Sequence, residues 1–242
     1  MNRLMKAEWY RIRHSSNLFM WMIFICIVVA IIPMVSDIEF YEKSLSENFK
    51  LYSGGGYIFI LLFIGVMISI SIGINYNNKT AYYEIMHGHK ISDIILSKVI
   101  VNSGVMTIGI IITCSIYFSV IYILNGNGEY DNIILRLSLF ILIIIHVCVV
   151  SGLLAMCIRN TFSAILIVLR FCVLEAIFMA GISQSTSIDK MINFFISGQF
   201  QKILNGEITT ILIIGTIMSI FIESMILYFI SYYAMKKRKK LL

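Results

Sequence analysis

Six long apolar stretches fill most of the chain, and its Lys and Arg residues collect on alternate connections between them. A helix that crosses a bilayer needs roughly 20 mostly apolar residues. The six stretches lie at about 17–35, 57–76, 94–124, 133–158, 161–182 and 208–234. In hydrocarbon a segment must satisfy its own backbone polar groups, so each reads as a helix and the fold as all-α, integral to a membrane. Charged residues are 13% of the 242 and hydrophobic residues 59%, whereas a soluble domain has about twice that charged share. Little chain remains outside the spans, so residues 1–242 read as one transmembrane domain.

The basic residues orient it. Arg3, Lys6, Arg11 and Arg13 precede the first span. Lys79 and Lys90 follow the second, with Lys98 just beyond, and Arg159 follows the fourth. Lys236, Lys237, Arg238, Lys239 and Lys240 follow the sixth. The other side has Lys43, Lys50, Lys190 and Lys202, with Arg136 near a helix end. The excess of basic residues marks the cytoplasmic side, which places both termini there. An even number of spans requires the same agreement. The net charge of +6 sits at chain ends and beside the membrane, a pattern that fits topology and anionic lipid rather than nucleic acid. The first span is too long for the core of a signal peptide and no small-residue cleavage site follows it, so it reads as an uncleaved helix.

The five cysteines, Cys26, Cys114, Cys148, Cys157 and Cys172, fall in or at the edge of apolar segments without a CxxC pair. They read as buried thiols rather than a disulfide or metal framework. Pro33 is the only proline, so the helices can run largely unbroken. The third stretch is longer than a bilayer requires; it is expected to begin outside the hydrocarbon, to tilt, or to break near Gly104 and Gly109.

Residues 1–16 read as an interfacial amphipathic helix. At helical spacing Leu4, Met5, Trp9 and Ile12 share an apolar arc, with Arg3, Lys6, Tyr10 and Arg13 opposite. Glu8 intrudes on the apolar arc, so something other than lipid is expected to meet it. Such a helix is either a simple anchor or a lever that touches a partner. The segment from Lys79 to Lys90 is too polar to span and too rich in large side chains for a tether. Tyr82, Tyr83, Met86 and His87 would present an aromatic knob, the usual energetic centre of an interface.

On these residues the chain resembles the ABC-2 type transporter permeases, the six-helix membrane subunits of ATP-driven exporters. The resemblance rests on the opening "LMKAEWYRIRHS" and on "YYEIMHGHKISDIILSKVI". The second holds Glu84, Gly88, Ser92 and Lys98 in the family's order. Many members carry Arg directly after the Ser, where this chain has Asp93. The resemblance implies a cytoplasmic coupling helix carrying Tyr82, Tyr83, Glu84, Met86, His87 and Gly88. It also implies two copies of an ABC ATPase subunit, a second permease (identical or related), and a bacterial cytoplasmic membrane. The short chain and the "EWYRIRHS" start are similar to permeases for amphipathic peptides, as in lantibiotic immunity and phenol-soluble modulin export.

No G-x-x-x-x-G-K-[ST] motif is present to cradle phosphates. Gly54-Gly55-Gly56 is the glycine cluster, and no Lys-Ser or Lys-Thr follows it at that spacing. It reads as a flexible lead-in to the second span. ATP and magnesium would therefore belong to a partner, with no cofactor or metal on this chain. Between the fifth and sixth spans, Ile188, Met191, Ile192, Phe194, Phe195 and Ile196 form an apolar run too short to span. It reads as an outer re-entrant helix or as one packed on the lipid surface.

His146, Arg170, Glu175 and Glu223 are ionisable residues inside spans. A bare central charge costs at least about 2.5 kcal/mol, so Arg170 needs a partner, and Glu223 matches it in depth. Either a static pair or a polar lining for substrate or protons would result. Asn and Ser residues are scattered without pattern, and no HExxH or GxSxG motif occurs. The expected function is export of amphipathic antimicrobial or cytolytic peptides, for secretion or self-immunity, with drug or ion as alternative substrates. Two other classes stand beside it: an intramembrane enzyme using His146 with Glu175 or Glu223, and a non-transporting structural or regulatory subunit.

Overall fold

The computed structural model describes residues 1–14, 57–77, 80–126, 133–158 and 208–239, with short pieces at 23–24, 27, 42–44, 47, 198–199 and 202–203. Side chains at 57–62, 75–77, 80–82, 133 and 238–239 are outside that description. Most of the expected span at about 17–35, all of that at 161–182, the apolar run 188–196, the cluster Gly54–Gly56, and Arg170 and Glu175 lie outside the described residues.

Among the described residues all regular structure is helical. The order is α1 (Asn2–His14), α2 (Tyr57–Asn77), α3 (Thr80–Met86), α4 (Ile91–Asn125), α5 (Ile133–Ile158) and α6 (Thr210–Lys239). Three helices, α4, α5 and α6, are long and apolar enough to cross a membrane. The 21 residues of α2 contain a further apolar helical stretch, Phe63–Ile74.

The fourth expected span and α5 have the same bounds, because apolar composition holds from Ile133 to Ile158 and polar residues follow at once. The other helices differ at their ends. The 35 residues of α4 make one helix, unbroken at Gly104 and Gly109. At ~1.5 Å per residue that is about 52 Å, well beyond a hydrocarbon layer of about 30 Å. Of the three expected solutions to its length, the break is therefore not used. The sixth helix continues past Ala234 through Lys236–Lys239, since Lys is a good helix former and no Gly or Pro intervenes.

At the centre of the bundle, α5 packs against α2, α4 and α6. The apolar stretch of α5 is 61% buried, against 28% for α4 and 17% for α6, so α5 is the innermost of the three. Ile64, Ile68 and Ile72 form one row on α2, four residues apart, and meet Ile143, Ile144, Val147 and Val150 in the core. At Gly152 of α5, helices α2, α4 and α5 lie within ordinary packing distance. A Cβ there would sit 3.4 Å from the Val99 methyls of α4 and 3.5 Å from Ile72 Cδ1 of α2.

Polar side chains tie the helices where apolar packing alone would let them slide. Ser231 Oγ of α6 donates within 3.0 Å of the Leu153 carbonyl of α5 and lies 3.0 Å from Cys157 Sγ. Thr107 Oγ1 of α4 lies 3.8 Å from Cys148 Sγ of α5. Cys114 and Cys148 are buried thiols, as expected, and Cys157 is a half-buried one; Cys26 and Cys172 lie outside the described residues.

Candidate functional site: a charged junction of three helices

The amphipathic pattern of residues 2–14 makes α1, but its buried stripe is Leu4, Glu8 and Ile12. Met5 is half-buried and Trp9 is exposed. The face set against the bundle is thus centred on Glu8 rather than on Trp9. The reason is Lys98. It lies two turns into α4, is fully buried, and donates from Nζ to Glu8 Oε1 of α1 and, at 3.0 Å, to Glu84 Oε1 of α3. Residues 8, 84 and 98 are far apart in the chain, and one ammonium joins the helices that carry them.

Arg11 completes the balance. Its guanidinium approaches Glu8 Oε2 at 2.9 Å through Nη2 and donates from Nε at 3.0 Å. It also reaches α2, donating to the Ser71 carbonyl at 3.2 Å and to Ser71 Oγ at 3.4 Å. Ser71 Oγ donates to Asn102 Oδ1, and Asn102 Nδ2 donates to the Lys98 carbonyl at 2.7 Å. The network therefore closes on itself across α1, α2 and α4, with two cations against two carboxylates. Such pairing is what a buried charge requires, since an uncompensated ion in low dielectric costs several kcal/mol. Burial is the largest single influence on Glu8 and pushes its carboxyl upward, but the charges and hydrogen bonds of Lys98 and Arg11 together outweigh it. The Glu8 pKa is held below 4.5.

Glu84 stands on α3, a helix of seven residues closed by a Gly. The His89 N–H donates to the Glu84 carbonyl at 3.2 Å and the Gly88 N–H to the Ile85 carbonyl at 3.1 Å. This paired cap needs a left-handed residue, and Gly88 has φ +81°. The cap turns the chain into α4 and sets which way α3 faces. Glu84 and Ile85 turn inward, while Tyr83, Met86 and His87 are exposed together. The ring of His87 is held by a 2.6 Å contact between Nδ1 and the Tyr83 carbonyl. The side chain of Tyr82 lies outside the described residues. The Asp93 carboxylate sits 3.8 Å from the Met1 amine.

A second polar contact lies inside the bundle. His146 of α5 is fully buried, and its Nε2 is 3.2 Å from Glu223 Oε2 of α6. The two are close but not aligned as a hydrogen bond, and Nδ1 has no hydrogen-bond partner among the described residues. At the far end of α5, Arg136 is buried and donates to the Ile203 carbonyl.

The structure thus brings together Glu8, Glu84 and Lys98, each of which stood out separately in the sequence. Arg11, Ser71 and Asn102 did not stand out there. A signal existed: Asn102 follows Lys98 by four residues, so both lie on one helical face, inside an otherwise apolar run. No protein-family model matches the chain, and no curated protein is significantly similar to it.

Proposed function

We propose that this chain is the permease subunit of an ATP-driven exporter of the ABC-2 type, with ATP hydrolysis on a separate subunit. The observation that carries the proposal is the charged junction. The amphipathic helix α1, the short helix α3 and the start of α4 are joined through Lys98, and α3 offers Tyr83, Met86 and His87 to whatever lies beneath. A push on α3 is then transmitted to α4 and α1 through buried charge contacts rather than through a flexible loop. In this reading both termini are cytoplasmic, two ATPase copies dock at α3, and a second permease completes the path. Flexible Met, Ile and Phe side chains suit an amphipathic peptide as cargo. Secretion or self-immunity against such peptides follows.

Co-purification tests it. The chain is expected to bring down an ATP-binding subunit, and Tyr83→Ala with Met86→Ala is expected to release that subunit while leaving the permease folded. A permease that copurifies with no nucleotide-binding protein contradicts the proposal. The second reading, an intramembrane enzyme, rests on the approach of His146 to Glu223 at 3.2 Å. An enzyme would act alone and lose activity on His146→Ala, whereas Tyr83→Ala would leave it active.

A further inference from the structure

Round the axis of α1 three zones follow one another. Leu4, Glu8 and Ile12 face the bundle, Met5 and Trp9 come next, and Lys6 and Arg13 come after them. Arg3, Lys6 and Arg13 are exposed, in contrast to Arg11, which turns into the junction. Between the middle zone and α4 lies an apolar groove of about 350 Å³, with Met5, Trp9 and Lys6 along one wall and Ile100, Gly104 and Ile108 along the other. Gly104 opens it: a Cβ at that position would meet nothing within 4 Å. On the other side of Ile100 a second apolar groove, about 360 Å³, runs between Leu96, Val149 and Phe221 toward Tyr228. Ile100 is the wall common to both.

We propose that these grooves bind one anionic phospholipid, its two acyl chains straddling Ile100 and its phosphate held by Lys6. Three features on α1 and α4 converge on that occupant. Both grooves are lined almost wholly by apolar side chains. The exposed cation of Lys6 lines the first groove, where a headgroup would lie and where it attracts negative charge. Trp9 is half exposed beside Lys6, the position an indole takes at a membrane interface. The lipid would brace α1 against α4 from outside while Glu8 and Lys98 brace it from inside. The composition of the leaflet would then affect the same junction.

Trp9 supplies the probe, because the chain has only two tryptophans and Trp21→Phe isolates its fluorescence. Full-length protein is placed in phosphatidylcholine vesicles with rising fractions of phosphatidylglycerol brominated in its acyl chains. Quenching of Trp9 is expected at about a fivefold lower fraction than with brominated phosphatidylcholine, the preference that one basic residue near a surface supplies. Lys6→Gln, a change at an exposed position, is expected to remove that preference and keep the quenching. Gly104→Leu, which has room for its Cβ, is expected to fill the groove and weaken quenching by both lipids. Equal quenching by the two lipids in the parent chain overturns the proposal. So does undiminished quenching in Gly104→Leu. A Gly104→Cys variant that cross-links between copies in place of lipid quenching also overturns it, because the occupant is then a second copy of this chain.

Discussion

The Lys98 junction and the His146–Glu223 pair are both polar contacts among apolar helices, and they are built on different terms. At the junction four charges balance, and Lys98 and Asn102 are cross-tied through side chains and carbonyls from three helices. At the pair, a fully buried imidazole approaches a carboxylate whose side chain is 24% exposed, without hydrogen-bond alignment. The contrast teaches that a buried charge becomes structural when its neighbours are fixed by further contacts. The junction is suited to hold α1, α3 and α4 together.

The largest expected effect comes from removing the shared cation. Lys98→Met leaves the Glu8 and Glu84 carboxylates without their ammonium, at a cost of about 3–5 kcal/mol, the range for breaking one side of a buried pair. Reversible unfolding in mild detergent, driven by a denaturing detergent, measures it. Glu8→Gln is next. Lys98 keeps Glu84 and Arg11 keeps Ser71, so the loss is about 1.5–3 kcal/mol, that of a charged hydrogen bond.

Acid sharpens the same comparison. The carboxyl of Glu8 is depressed in the folded chain, so its contribution is complete above its ordinary value of 4.5 and is lost as pH falls through the lower folded value. Stability measured from neutral pH downward is expected to show this acid limb in the parent chain and a flatter one in Glu8→Gln. The smallest effect belongs to the pair. His146→Leu is expected to cost about 0.6 kcal/mol, the average for an interhelical polar contact in a membrane. A cost for His146→Leu equal to that of Lys98→Met would erase the distinction between the two sites.

Much of the fold was legible because bilayer length and apolar composition dictate it. Tyr57 and Ile133 were read as helix starts and are so. The start of α4 was placed at Ile94 rather than Ile91, since Ser92 and Asp93 look like loop residues until their helical partners are known. The continuation of α6 into Lys236–Lys239 was hidden because basic residues end a span without ending a helix. The site was legible only in pieces. Glu8 was conspicuous as a charge on an apolar arc, and Glu84 and Lys98 through a resemblance. That all three meet was not legible, because helical spacing relates neighbours within a helix and not residues ninety apart. Depth assigned Glu223 to Arg170. Among the described residues Glu223 approaches His146, while Arg170 lies outside them.

The most direct test of the junction is a double-mutant cycle on Glu8→Gln and Lys98→Met, read by the same unfolding measurement. Two residues in one buried network are expected to show an interaction energy of about 0.5–3 kcal/mol. Costs that simply add, within about 0.3–0.5 kcal/mol, would mean that α1 and α4 are not joined through this contact.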